Sequence, residues 1–346
     1  MLTRTAHWLA LQYWIAGLLR IEIGLPGPEP VEHPGGPAPM LEKGNGSQGN
    51  DRAAFSRGEA MCTYRTYHAV ANPTRAQELA DVTSPFTIDV QFLGGLTDAQ
   101  EQAFERAADR WARVIIGDLP TVILGGEVID DILILAQGVP IDGTGRILGQ
   151  AGPTHVRSAS AAVGALLPVK GIMSFDTADL ARMEDDGTLL DVITHEMGHV
   201  LGVGTVWEDK GLLKDPRTPN PNFVGAAAME ELGTLMGAGG PVPVPVEATG
   251  GPGTADSHWR ETVFHNELMS GFVGSPGNPL SRLTVAGLQD LGYQVDLDAA
   301  EPYELPDLLE LARAGELVTS GAPTDRGMML PVIPVVLPAQ SSGLSV

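Results

Sequence analysis

The stretch Leu189–Leu201, LLDVITHEMGHVL, decides how this chain is read. Leu189, Leu190, Ile193, Met197, Val200 and Leu201 recur at helical spacing and make one apolar face. Asp185-Asp186-Gly187-Thr188 ahead of it is a start signal, so a helix is expected from about Thr188 to Leu201. Inside that helix lies His195-Glu196-Met197-Gly198-His199, an HExxH string. Its two histidines stand one turn apart, about 6 Å between Cβ atoms, so both imidazoles can reach one ion. Glu196 projects from the adjoining edge, where it can serve a zinc-bound water without becoming a ligand. The plain alternative is a helix with two surface histidines, which the apolar face around them disfavours.

Working outward, Phe86–Phe92 (FTIDVQF) alternates apolar and polar residues as a half-buried strand does. Gly94-Gly95 ends it, and Thr97 with Gln100 has capping-box spacing. The helix that follows, Asp98–Ile116, carries Ala99, Ala103, Phe104, Ala107, Trp111, Val114 and Ile115 on one stripe. Further strands are expected at Asp131–Gln137, Gly145–Ala151 and Gly171–Phe175. The order strand, helix, strands, helix points to an α+β or α/β layer. Beyond Trp207, Asp215–Asp256 is rich in glycine and proline and reads mostly as loop. A helix is expected at Ser281–Leu291 and a short one at Asp307–Ala314, before a tail whose apolar stretch Met328–Leu337 is broken by prolines.

Four segments follow. Residues 1–23 are a possible signal or amphipathic segment, and 24–82 a largely disordered linker or pro-segment. Residues 83–300 form the catalytic domain and 301–346 a C-terminal tail. The 346 residues include 21 Lys+Arg and 43 Asp+Glu, a net charge of −22, which repels phosphate and argues against a nucleic-acid partner. The single cysteine, Cys62, allows no intrachain disulfide and no zinc site built on several thiolates. No apolar run reaches the ~18–20 residues that span a bilayer, and the acidic composition suits a soluble monomer with no stable membrane association.

A catalytic zinc ion takes three protein ligands and keeps one open position. Gly202 extends the string to HExxHxxG, where a glycine can turn the chain back sharply. Three residues on stands Thr205, so a third histidine at that short spacing is missing. The candidate is His258, 59 residues after His199; His265 and Glu267 are the alternatives.

HExxHxxG, a long insertion, then His258-Trp259 and Glu267-Leu268-Met269-Ser270-Gly271 resembles the leishmanolysin-like zinc metallopeptidases, metzincins with a stretched third-ligand spacing. FTIDVQF, AADRWARVIIGDLP and SFD look similar to the bacterial branch, and the resemblance runs from about Ser84 to Asp296. It implies His195, His199 and His258 as ligands of one Zn2+ ion, Glu196 as general base and Met269 in a turn beneath the metal. It also implies an α+β domain with a twisted N-terminal sheet, an active-site helix and a smaller C-terminal subdomain. The activity implied is hydrolysis of proteins or peptides, with secretion or a cell-envelope location expected. The strand Arg146–Gln150 is expected at the cleft edge, pairing with extended substrate.

There are departures from the family. The many cysteines and the C-terminal disulfide-bonded domain of its eukaryotic members are missing here, and Cys62 would be the thiolate able to block zinc. Phe272 and Val273 follow the methionine turn where some metzincins place a tyrosine, and Tyr293 lies far downstream, so no oxyanion donor is assigned. A function of another class is a non-catalytic, zinc-stabilised binding module, against which Glu196 argues, since a structural site needs no base. An exopeptidase using Glu267 is a further zincin alternative.

Overall fold

Strand pairing begins earlier in the chain than the FTIDVQF pattern suggests. A computed structural model of the chain describes residues 64–273, 276–307, 310–311, 313 and 328–341. Its first strand, β1 (Arg65–Val70), pairs antiparallel with β2 (Thr87–Gly94) through helix α1 (Pro73–Ala80). Asn72 caps α1 by accepting from the Thr74 and Arg75 amides. The folded part therefore reaches into the 24–82 segment expected to be linker. β1 escapes a pattern reading because it is an outer strand that buries little beyond Ala69.

Helix α2 (Asp98–Val114) starts with the expected capping box: Thr97 Oγ1 accepts from the Gln100 amide at 3.2 Å, and Gln100 Oε1 accepts from the Thr97 amide at 3.0 Å. A hairpin, β3 (Val122–Leu124) and β4 (Glu127–Ile129), leads to β5 (Ile132–Val139). β5 is buried on both faces, as its nearly continuous Ile/Leu run requires. It lies parallel to β2 on one side and to β7 (Pro168–Asp176) on the other. β6 (Ile147–Val156) runs antiparallel to β7. Helices α3 (Thr177–Asp186) and α4 (Leu189–Val200) follow, α4 occupying the place the HExxH pattern predicts.

α4 lies between α2 and the sheet because two glycines let it. Gly198 faces Trp111 and Met269 so closely that a Cβ there would stand 2.8 Å from Trp111 Cζ2 and 2.7 Å from Met269 Sδ. Trp111 Nε1 donates to the Thr194 carbonyl at 2.9 Å, which fixes the height of the helix. On the other side, a Cβ on Gly171 of β7 would meet Val200 Cγ1 at 2.3 Å.

The remainder forms a smaller C-terminal part. β8 (Leu213–Lys214), β9 (Asn222–Phe223) and β10 (Val244–Pro245) make a small antiparallel sheet, and α5 (Ala226–Leu235) packs on α7 (Arg282–Leu291). α5 lies within the stretch expected to be mostly loop. Its start is held by Asp290, which accepts from the Ala227 and Ala228 amides, so its cap is invisible locally. The short helix α6 (Glu261–Phe264) sits beside a cluster of Trp207, Phe223 and Trp259, ring centroids 4.6–5.4 Å apart.

The tail also differs from expectation. β11 (Met328–Pro331) and β12 (Val335–Val336) lie parallel to β6 and complete a main sheet of order β1-β2-β5-β7-β6-β11, with β12 further along β6. The edge of β6 expected to be free for substrate is thus already paired. Of the Asp307–Ala314 helix expected from the sequence, Glu310, Leu311 and Arg313 are described and helical, and the Leu311 amide donates to the Asp307 carbonyl at 3.0 Å. The whole is an α+β domain, and no helix among the described residues is long and apolar enough to cross a membrane.

Two outcomes check this packing. Thr97→Ala removes one half of the capping box and should lower the unfolding free energy by about 1 kcal/mol in chemical denaturation. Gly198→Ala forces a methyl against the rigid indole of Trp111 and should cost about 1–3 kcal/mol by the same measurement.

Candidate metal centre

Three imidazoles meet between α4 and the C-terminal part. His195 and His199 come from successive turns of α4, and His258 from the segment before α6. Their Nε2 atoms lie 3.0 Å (His195–His258), 3.1 Å (His195–His199) and 2.9 Å (His199–His258) apart. All three side chains are buried.

Each ring is oriented through its other nitrogen. His195 Nδ1 donates to the Leu268 carbonyl at 2.6 Å, His199 Nδ1 to Val203 at 2.8 Å, and His258 Nδ1 to Thr254 at 2.9 Å. These bonds place the proton on Nδ1 and leave Nε2 as a bare acceptor. Burial pushes His195 down to about 3 and His199 down to about 4, and holds His258 well below its ordinary value; neighbouring imidazoles add to the shift at His195 and His258. Three neutral acceptors therefore face one point with no donor among them, and that is the donor set of a cation. Their separations approach the roughly 3.3 Å that tetrahedral Zn–N bonds of about 2.05 Å impose. His195, His199 and His258 could hold a metal ion.

The segments around the triad are built to keep His258 there. Gly202, at φ +106°, turns the chain out of α4. Gly204, at φ +76°, approaches Ser257 so closely that a Cβ would meet its carbonyl oxygen at 2.0 Å. Thr205, which stands where a short-spaced third histidine would be, donates instead to the His199 carbonyl at 2.7 Å. Met269 is fully buried beneath Gly198, between the two α4 histidines in sequence.

Glu267 has a role the sequence did not suggest. Its Oε2 accepts from the Met269 amide at 2.6 Å, and its Oε1 accepts from the Ser281 and Thr284 hydroxyls at 2.6 and 2.5 Å. It ties the methionine turn to the start of α7, and both its oxygens are taken up there. The only sequence signal was its place in ELMSG, which names a turn but not its anchor. His265 likewise stands apart, its Nδ1 3.7 Å from Glu261.

Glu196 lies beside the triad on α4 and is buried, and that burial pushes its carboxyl up to about 8. Tyr293 donates to the Leu201 carbonyl at 2.9 Å and is buried under the turn, so it serves the fold. His155 lies on β6, and His68 of β1, within the 24–82 segment expected to be linker, pairs with Asp89 at 2.7 Å. His7, His33 and Cys62 lie outside the described residues. A second cluster, the acidic Asp118, Asp130 and Asp131, also comes together, but Asp131 commits its oxygens to the Leu119 and Thr87 amides.

Comparison with known proteins gives this region a family. The family model described as leishmanolysin, a peptidase M8 family, matches residues 131–305, which take in α4, the triad and the methionine turn. Leishmanolysin of Leishmania donovani is 33% identical over 149 residues, covering 40% of this chain and 24% of its own length. The ciliated left-right organizer metallopeptidase of Xenopus laevis is 27% identical over 145 residues, covering 36% of this chain and 20% of its own. The matched region thus spans a quarter or less of either relative. A metal is implied by the metallopeptidase family, and the chain supplies three histidines able to bind it. On the extent of that match, the chain belongs to the leishmanolysin family.

Proposed function

We propose that this chain is a zinc-dependent metalloendopeptidase in which His195, His199 and His258 hold the ion and Glu196 is the general base. The observation that carries the reading is the convergence of three proton-free Nε2 atoms within 2.9–3.1 Å, with a buried carboxylate on the same helix. A zinc ion held there supplies Lewis acidity toward a carbonyl and a water nucleophile at neutral pH. Glu196 takes the proton from the attacking water and hands it to the leaving amine. Its desolvated setting favours that role, because a carboxylate in an apolar enclosure holds a proton more readily than one in water. Met269 and Trp111, packed against Gly198, fix the helix that positions both histidines and the base. Proteins or peptides are the substrates.

The test is cleavage of an unstructured peptide library by the parent chain, Glu196→Ala and His258→Ala, with zinc measured in each. The base substitution should lower kcat/KM by about 10²–10⁴-fold with about one zinc retained per chain. His258→Ala should lose the metal and the activity together. Zinc bound by parent and Glu196→Ala with equal cleavage would remove Glu196 from the chemistry. Zinc bound with no cleavage by any chain would leave a binding module.

A further inference from the structure

β6 carries a second strand on its outer edge, and that strand is the chain's own C-terminal segment. Met328–Pro331 pairs with Ile147–Ala151, and Val335–Val336 pairs with His155–Val156, so the segment follows β6 along its whole length. The Leu337 amide donates to the Val156 carbonyl at 2.9 Å, and Gln150 Nε2 donates to the Pro331 carbonyl at 3.4 Å. β6 also packs on α4, the helix that carries His195 and His199. A Cβ on Gly171 would meet Val200, next to His199, at 2.3 Å and the Gly152 carbonyl of β6 at 3.1 Å. On its other side the segment touches the loop that orients His258: the Met329 carbonyl lies 3.0 Å from where a Cβ on Gly253 would be, one residue before Thr254.

A sheet edge offers one row of amides and carbonyls, and it pairs with one strand at a time. An extended peptide that added itself to β6 beside the triad would need the row that Met328–Val336 now holds. The attachment is built to give way. Pro331 and Pro334 have no amide to donate, and no strand pairing spans Val332–Pro334. Ile333 is 83% exposed, and among the described side chains from Met329 to Leu337 only Leu330 and Leu337 are buried.

We propose that Met328–Leu337 is an autoinhibitory strap: it occupies the β6 edge on which an extended peptide substrate docks, and it must leave before substrate can enter. The inhibition rests on the peptidase reading; occupation of a peptide-docking edge can be tested apart from it.

The experiment compares the full-length chain with its Leu330→Asp/Leu337→Asp variant; Leu330→Ala/Leu337→Ala is the milder pair if the first fails to fold. Three readouts are taken on each: hydrogen exchange across Ile147–Val156, binding of a fluorescent MMLPVIPVVL peptide, and cleavage of an unrelated peptide. Detachment should speed exchange in β6 at least tenfold, and the labelled peptide should bind the detached chain and not the parent. Cleavage should rise at least tenfold in kcat/KM, chiefly through KM, and the free MMLPVIPVVL peptide should reverse the rise. Faster exchange with no peptide binding overturns the docking edge, and binding with equal kcat/KM in both chains overturns the inhibition. If neither chain cleaves any peptide, the peptidase reading and with it the inhibition fail, while peptide binding by the detached chain alone still supports the occupied edge.

Discussion

Three buried imidazoles turned toward one point are the constraint around which this fold is arranged. Left to themselves, three lone pairs about 3 Å apart repel, and a protein interior offers no water to separate them. The arrangement stands because each ring is held from behind by a backbone carbonyl, at Leu268, Val203 and Thr254. Those carbonyls belong to three different stretches: the methionine turn, the turn after α4, and the loop before His258. Fixing the ring nitrogens therefore means fixing three loops. Much of the C-terminal part serves that end, through the close approach of Gly204 to Ser257 and the anchoring of the methionine turn by Glu267.

What could be read beforehand divides by the range of the interaction behind it. The α2 capping box and the apolar face of α4 are local, and the pattern of Thr97, Gln100 and Leu189–Leu201 marks both. The triad is half local: one helical turn joins His195 to His199, while 58 residues of loop, strand and helix lie between His199 and His258. There the histidine spacing left His258, His265 and Glu267 open, and folding separates them, since His265 turns to Glu261 and Glu267 to Ser281 and Thr284. β11 was illegible because its partner, β6, is distant in sequence and nothing in MMLP announces it. α5 is different: AAAMEELGTL is rich in strong helix formers, and only the carboxylate that holds its start, Asp290, is distant, so the glycines and prolines around it hid a signal that was there.

The excess of acidic residues takes a different meaning once the chain is folded. A charge of −22 suggests a repulsive surface, yet several carboxylates are interior fasteners. Asp176 accepts from the Ile141, Asp142, Gly143 and Ala178 amides, and Asp191 from those of Gly277 and Asn278. Asp131 gathers Leu119 and Thr87, and Glu247 gathers Ala248, Thr249 and Glu261. In each case one buried side chain satisfies two or more backbone amides from loops or from the ends of strands and helices.

These fasteners explain how long glycine- and proline-rich loops can hold His258 against α4 in a chain with a single cysteine. A disulfide restrains a loop by limiting the unfolded chain, whereas a buried carboxylate restrains it by making any other loop geometry leave a charge unpaired. The second device acts only in the folded state, and its force depends on every amide being in place. It also suits a centre assembled from separate stretches. Asp191, at the start of α4, holds Gly277 and Asn278, while Glu267 holds Met269 to Ser281. The helix that carries His195 and His199 is thereby connected, through carboxylates and not covalent links, to the turn whose Leu268 carbonyl orients His195.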